Sequence, residues 1–283
     1  MQLFIGLIAA VIVLAVAALV ALRTIDRNFS ARMDNLKNQL TATQTVAVDD
    51  AARPELPDIV RDYAVRAGGR EGAALVFHAR HKATLATARG APPLAIEAEQ
   101  WTGIAVPGLV WIARGRMRGI PVVVFDAFVA GRGELRARLL GAFEVAGGAG
   151  ADYDKGELMR YLSELPVYPD AILNLAGVIW RQLDDRTVSV TAHSATGEAT
   201  VRFIFDETGD IVGLEADDRP MAVDGITVAT PWHGKYARYA RFGRYRIPTY
   251  GEVGWLLPDG LFVYWKGEVV HYAPSGEDMP AGR

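Results

Sequence analysis

The chain has 283 residues, 51% of them hydrophobic, a formal net charge of −3 and no cysteine. The lack of thiols excludes disulfide scaffolding and cysteine chemistry, and the near-neutral charge balance argues against a surface built for nucleic acid.

Residues 3 to 22, LFIGLIAAVIVLAVAALVAL, carry no charge and no proline. About 20 apolar residues cross a hydrocarbon core, so the run predicts a transmembrane anchor over residues 1–22. A cleaved signal peptide ending at Ala15-Val16-Ala17 is disfavoured by a leader without Lys or Arg. A buried core helix would show a polar face. The reading places the protein in a bacterial inner membrane with a single pass. Arg23, Arg27, Arg32 and Lys37 on the C-terminal flank favour a cytoplasmic domain. Residues 23–53 read as a juxtamembrane helix and linker, and 54–283 as one β-rich domain.

Pro57-Asp58 opens a short helix that Gly68-Gly69 stops. Strands are predicted over Ile96–Trp101, Leu109–Met117, Val122–Ala130 and Glu134–Val145, joined by hairpin breaks at Arg118-Gly119 and Gly131-Arg132-Gly133. Gly147 to Gly150 reads as a loop and Tyr153 to Leu165 as a helix. Pro166 and Pro169 end it, and Asp170 caps a second helix through Leu175 towards Trp180. The last hundred residues read as a meander: Thr187–Ala192, Ala199–Asp206, Ile211–Ala216, Val253–Leu257, Leu261–Trp265 and Glu268–Tyr272. Strands, central helices and strands again predict an α+β fold that is mainly antiparallel β. Its form is a half-open curved barrel or meander, with two or three helices on the concave side.

Segments in a characteristic order carry a resemblance. VWIARGRM (110–117), DAFVAGRGELRARLLG (126–141), GELMRYLSELPVYPDAIL (156–173), FDETGDI (205–211), DDRP (217–220), PW (231–232) and RIPTYGEVGWLLPDGLFVYW (246–265) succeed one another. Together they resemble an uncharacterised bacterial family, a domain-of-unknown-function group often attached to a membrane segment. The likeness spans most of residues 55 to 272. Val167-Tyr168-Pro169 stands where the family pattern has an aromatic, Trp-rich segment. The resemblance implies a fold similar to the periplasmic lipoprotein carriers, a lipid-like ligand and a periplasmic domain, against the charge bias of the flank.

On the helix over 153–165, Glu157, Arg160 and Glu164 fall within about 60° of one another and border the apolar sector of Leu158, Tyr161, Leu162 and Leu165. Such a stripe either recognises a polar head and shifts a carboxyl pKa or locks the helix by ion pairs. Asp217-Asp218-Arg219-Pro220 offers two successive carboxylates for acid–base work, or a turn with a bonded arginine. In KYARYARFGRYR (235–246), Lys235, Arg238, Arg241, Arg244 and Arg246 alternate with aromatics. That suits an anionic lipid surface, or a strand whose aromatics are buried and whose arginines are solvated. His78 and His81 have no third ligand nearby, so no metal is expected, and no cofactor motif is present.

These features predict a membrane-tethered carrier or sensor for a lipid or other apolar molecule. Trp111, Met117, Phe125, Tyr161 and Trp180 would face the ligand, with Arg160 at its polar head. An enzyme using Glu157 or Glu164, with Arg160 in support and Asp217 as a further candidate, is one alternative. A protein-interaction module with an undefined partner is another.

Overall fold

The computed structural model describes residues 2–48, 54–72, 75–223 and 225–275, with side chains of the first helix described from residue 12 to residue 45. Helix α1 (Gln2–Val48) is followed by α2 (Asp58–Arg66) and six strands: β1 (Val76–Leu85), β2 (Leu94–Gly103), β3 (Leu109–Met117), β4 (Ile120–Val129), β5 (Arg132–Leu139) and β6 (Phe143–Ala149). Then come α3 (Ala151–Ser163), a 3-10 turn (Leu165–Val167) and α4 (Pro169–Asn174). The remaining strands are β7 (Val178–Gln182), β8 (Thr187–His193), β9 (Glu198–Phe205), β10 (Ile211–Val223), β11 (Ile226–Phe242), β12 (Tyr245–Leu257) and β13 (Gly260–Pro274).

The 13 strands of the described residues form one antiparallel sheet in the order β6-β5-β4-β3-β2-β1-β13-β12-β11-β10-β9-β8-β7. Each half is a meander, and the pairing of β1 with β13 joins the halves. Strand twist, with register shifts such as those at Arg80/His81, Ala216/Arg219 and Val253/Gly254, curls the sheet into a half-barrel. Its two wings meet through hairpin turns, where the Ala195 N–H donates to the Gly131 carbonyl at 2.9 Å. The predicted curled antiparallel sheet is therefore what the chain forms.

Both faces are covered around β3. Leu109, Trp111 and Ala113 enter the concave core with Leu158, Tyr161 and Leu162 of α3 and Ile172 of α4. Val110 and Ile112 point the other way, into a second core with Phe125 and with Phe29, Met33 and Leu40 of α1. Two glycines seat α1 on this convex side. A Cβ at Gly108 would stand 2.6 Å from Leu40 Cδ1, and one at Gly103 would collide with the Gln44 amide. Buried Gln44 accepts from the N–H groups of Ala105 (2.8 Å) and Val106 (3.1 Å) and donates to the Val106 carbonyl (3.1 Å).

The membrane placement needs correction. Among the described residues, no helix is long and apolar enough to cross a membrane, so the single-pass inner-membrane assignment does not stand. Within α1 the described apolar run is Ile12–Leu22, and Arg23, Asp26 and Arg27 follow. Residues 3–11, which begin the predicted anchor, have side chains outside the described set. Of the segment read as a juxtamembrane helix and linker, residues up to Val48 are helical, and its Phe29, Met33 and Leu40 are core residues.

Other elements also differ from expectation. The predicted strand Glu134–Val145 is two strands with a tight turn at Leu140 (φ 53°) and Gly141 (φ 70°). Two successive positive φ values suit a primed hairpin turn, which Leu140 does not advertise. The loop expected at Gly147–Gly150 is largely strand β6. Trp180 lies in β7, not in a helix, because α4 ends at Asn174. DDRP is no turn: β10 runs through it to Val223, with the register shift at Ala216/Arg219.

Candidate functional site

Helix α3 lies across the concave face and is fixed at both ends. At its start, buried Asp154 accepts from the Gly133 N–H (2.7 Å) and the Thr196 hydroxyl (2.9 Å), tying the helix to both wings of the sheet. Tyr161 Oη donates to the Gly103 carbonyl at 2.8 Å. After the helix, Tyr236 Oη donates to the Ser163 carbonyl. With Leu158 and Leu162 turned into the core, the 3.6-residue period leaves Glu157, Arg160 and Glu164 facing β2, β3 and β4.

Arg160 is surrounded. Its guanidinium bonds Asp126 of β4, donates to Glu164 Oε1 (3.1 Å) and lies 3.9 Å from Glu157 Oε2. It also reaches Gln100 Oε1 at 3.4 Å and sits 4.7 Å from the Trp111 ring centroid. Gln100 in turn donates to Glu164, to Thr102 Oγ1 (2.9 Å) and to Tyr168 Oη (3.3 Å).

This cluster borders a cavity of about 220 Å³, far above the roughly 15 Å³ that admits one water. Leu85, Val124, Leu135, Val167, Val253, Trp265 and Val269 supply apolar wall, and Trp111, Trp232, Tyr236 and Tyr264 add aromatic faces. His81, Gln100, Asp126, Glu157, Arg160, Glu164 and Arg219 are polar lining groups. Several of their buried atoms have no hydrogen-bond partner among the described residues: His81 Nδ1, Asp126 Oδ1, Glu157 Oε2, and Arg219 Nε and Nη1.

Burial dominates the titration of these groups. It pushes the Glu157 carboxyl up to about 8, helped by the negative charge of Asp126, while Arg160 and Arg219 oppose the rise. Asp126 is likewise raised by burial, against the pull of Arg160 and Arg219. Burial, with Arg160 adding repulsion, lowers His81 to about 3. Near neutral pH the cavity thus contains a neutral imidazole and a protonated glutamic acid, one able to accept and the other to donate a hydrogen bond.

Of the residues singled out by sequence, Trp111, Arg160, Glu157 and Glu164 line the cavity. Phe125 does not. It points to the convex face, edge-on to Phe29 with ring centroids 5.9 Å apart. Tyr161 is buried beneath α3, and Trp180 stacks on Phe203 at 6.2 Å on the far wing. Met117 is 40% exposed at the β3–β4 hairpin. Asp217 is paired on the outside with Arg202 (2.5 Å).

The basic segment is spread along β11 and the start of β12. Arg246 forks onto Asp210 (2.8 and 2.7 Å), Arg244 pairs with buried Asp170 (3.1 Å), and Arg238 pairs with Glu268. Lys235 and Arg241 are exposed. No group of three or more His, Asp or Glu able to hold a metal occurs among the described residues.

Sequence reasoning did not place His81, Gln100, Asp126, Trp232 or Arg219 at a cavity. Asp126 had one detectable signal: it is the charge inside an otherwise apolar strand, VVVFDAFV. A buried strand tolerates such a charge only with a partner.

The sequence profile of DUF6544, a family of unknown function, matches residues 44–267. The chain belongs to that family. No curated protein matches it. Among solved structures it is similar to a domain described as an outer membrane lipoprotein-sorting protein from Vibrio parahaemolyticus. The TM-score there is 0.44 at 10% identity, covering 77% of this chain and 92% of that one. A LolA superfamily protein of Nitrosomonas europaea gives 0.38 at 10% identity, covering 78% and 94%. A DUF1329 family protein of Desulfovibrio piger gives 0.41 at 10% identity, covering 77% and 92%.

Proposed function

We propose that this domain binds one elongated, mainly apolar molecule in the cavity between α3 and the concave face. The observation that supports this reading is a cavity with predominantly hydrophobic and aromatic walls whose few polar groups include buried atoms left without partners. Small-molecule sites have that composition: apolar walls for affinity and a few placed polar groups for orientation. A cavity meant only to be filled would close on its own side chains, because interiors pack to crystal-like density.

The test is native mass spectrometry of the full chain, followed by organic extraction. A stoichiometric lipid-sized adduct is expected, and Val124→Phe, which narrows the cavity, should remove it. An adduct that survives that substitution would place the ligand elsewhere. A bare protein that also takes up no added medium-chain amphiphile would refute the proposal.

A further inference from the structure

We infer that Arg219 makes this cavity selective for molecules ending in a single negatively charged carboxylate. The inference rests on the cavity being a binding site and names the chemistry of its occupant.

Arg219 follows the register shift in β10. Such an irregularity re-aims side chains, and here it separates three consecutive charges. Asp217 pairs outside with Arg202 and Asp218 with Lys155, whereas Arg219 is 9% exposed and lines the cavity. The Arg219 guanidinium lies 4.3 Å from the Trp232 ring centroid and 5.9 Å from that of Trp255. The rings hold its plane, yet Nε and Nη1 are buried with no hydrogen-bond partner, and no ion pair of Arg219 occurs among the described residues.

The carboxylates of the cavity are engaged elsewhere. Asp126 and Glu164 bond Arg160, and Glu252 bonds the Tyr250 hydroxyl at 2.5 Å and lies 3.8 Å from Lys266. Glu157 is held protonated near neutral pH by its burial, so it adds no neutralising charge. A buried guanidinium with unpaired donors is costly, and its planar fork matches a carboxylate oxygen for nitrogen. One arginine with two open donors, Nε and Nη1, accommodates one carboxylate. A dianionic head would bring a second negative charge into a cavity that already holds Asp126 and Glu164, and an ammonium head would be repelled by the guanidinium. Glu157, whose Oε2 has no hydrogen-bond partner among the described residues, can donate a second hydrogen bond to the bound carboxylate.

Binding of decanoate, decan-1-ol, decylamine and decyl phosphate to the full chain, followed by tryptophan fluorescence, tests this directly. Decanoate should bind at least tenfold more tightly than the alcohol and the amine, and more tightly than decyl phosphate at pH 8. Arg219→Gln should lower decanoate affinity at least tenfold while leaving decan-1-ol within threefold. Equal binding of decanoate and decan-1-ol by the unmodified chain would overturn the carboxylate assignment and leave apolar binding standing. Failure of all four ligands to bind would overturn both. The selectivity of the unmodified chain is decisive even if Arg219→Gln does not fold.

Discussion

Replacing Glu157 by Gln should make the domain more stable relative to the unmodified chain as pH rises. In the unfolded chain the carboxyl ionises at its ordinary 4.5, while in the fold burial holds the proton to about 8. Between those values the folded state binds more protons than the unfolded state, so stability falls as pH increases. One pKa unit is worth about 1.4 kcal/mol, and the whole gap amounts to roughly 5 kcal/mol. Most of that penalty, roughly 3–4 kcal/mol, accumulates between pH 5 and pH 8. Glutamine has nearly the same shape and no titration, so it removes the pH-dependent part and adds only a constant offset. Denaturant unfolding of both proteins at pH 5, 6, 7 and 8 reads the difference. Stability curves that stay parallel across this range would refute the reasoning, because the folded carboxyl would then titrate like the unfolded one.

His81 carries the opposite sign. Its pKa is lowered from 6.5 to about 3, so below pH 6.5 the unfolded chain takes up a proton that the fold refuses, and stability is lost as pH falls. His81→Leu should therefore gain about 2 kcal/mol relative to the parent between pH 6.5 and pH 4.5, measured by denaturant unfolding. On the convex face, Leu40→Ala removes a fully buried side chain from the contact between α1 and the sheet. It should cost roughly 2–5 kcal/mol of unfolding free energy without changing decanoate affinity, and a cost under 0.5 kcal/mol would mean that α1 does not dock.

How far the sequence could be read depended on whether local patterns carried the information. Leu109–Met117 is legible to the residue because Pro107-Gly108 and Arg118-Gly119 bracket it. Central strand β1, VFHARHKATL, is not predicted at all. Its inward residues include small Ala79 and Ala83 and the polar His81, so the hydrophobic alternation that marks strands is faint. The stripe of Glu157, Arg160 and Glu164 follows from helical spacing alone. The ligand-facing set over the sheet does not, because α1 buries the outer face of β3 and β4 as thoroughly as the cavity side does. Trp111 and Phe125 are both buried strand aromatics, and only the register of a two-sided sheet sends one inward and the other towards Phe29. Arg219 is hidden for a related reason: counting by twos through DDRP fails at a register shift that no residue type announces.

Arg160 and Arg219 border the same cavity with opposite electrostatic arrangements, and the contrast bears on what the cavity is for. Arg160 bonds Asp126 and Glu164 and is close to Glu157, which is what holding α3 against the sheet requires. If structure were the whole purpose, Arg219 would be the simplest side chain to discard: an apolar residue between Trp232 and Trp255 would leave no buried donors unpaired. Instead β10 breaks register to bring an arginine inward, past two aspartates that stay outside. Violations of the pairing rule gather where a ligand completes the pairing. The same cavity also holds Glu157 protonated, so that this carboxyl adds no negative charge against an anion that the open donors of Arg219 would receive.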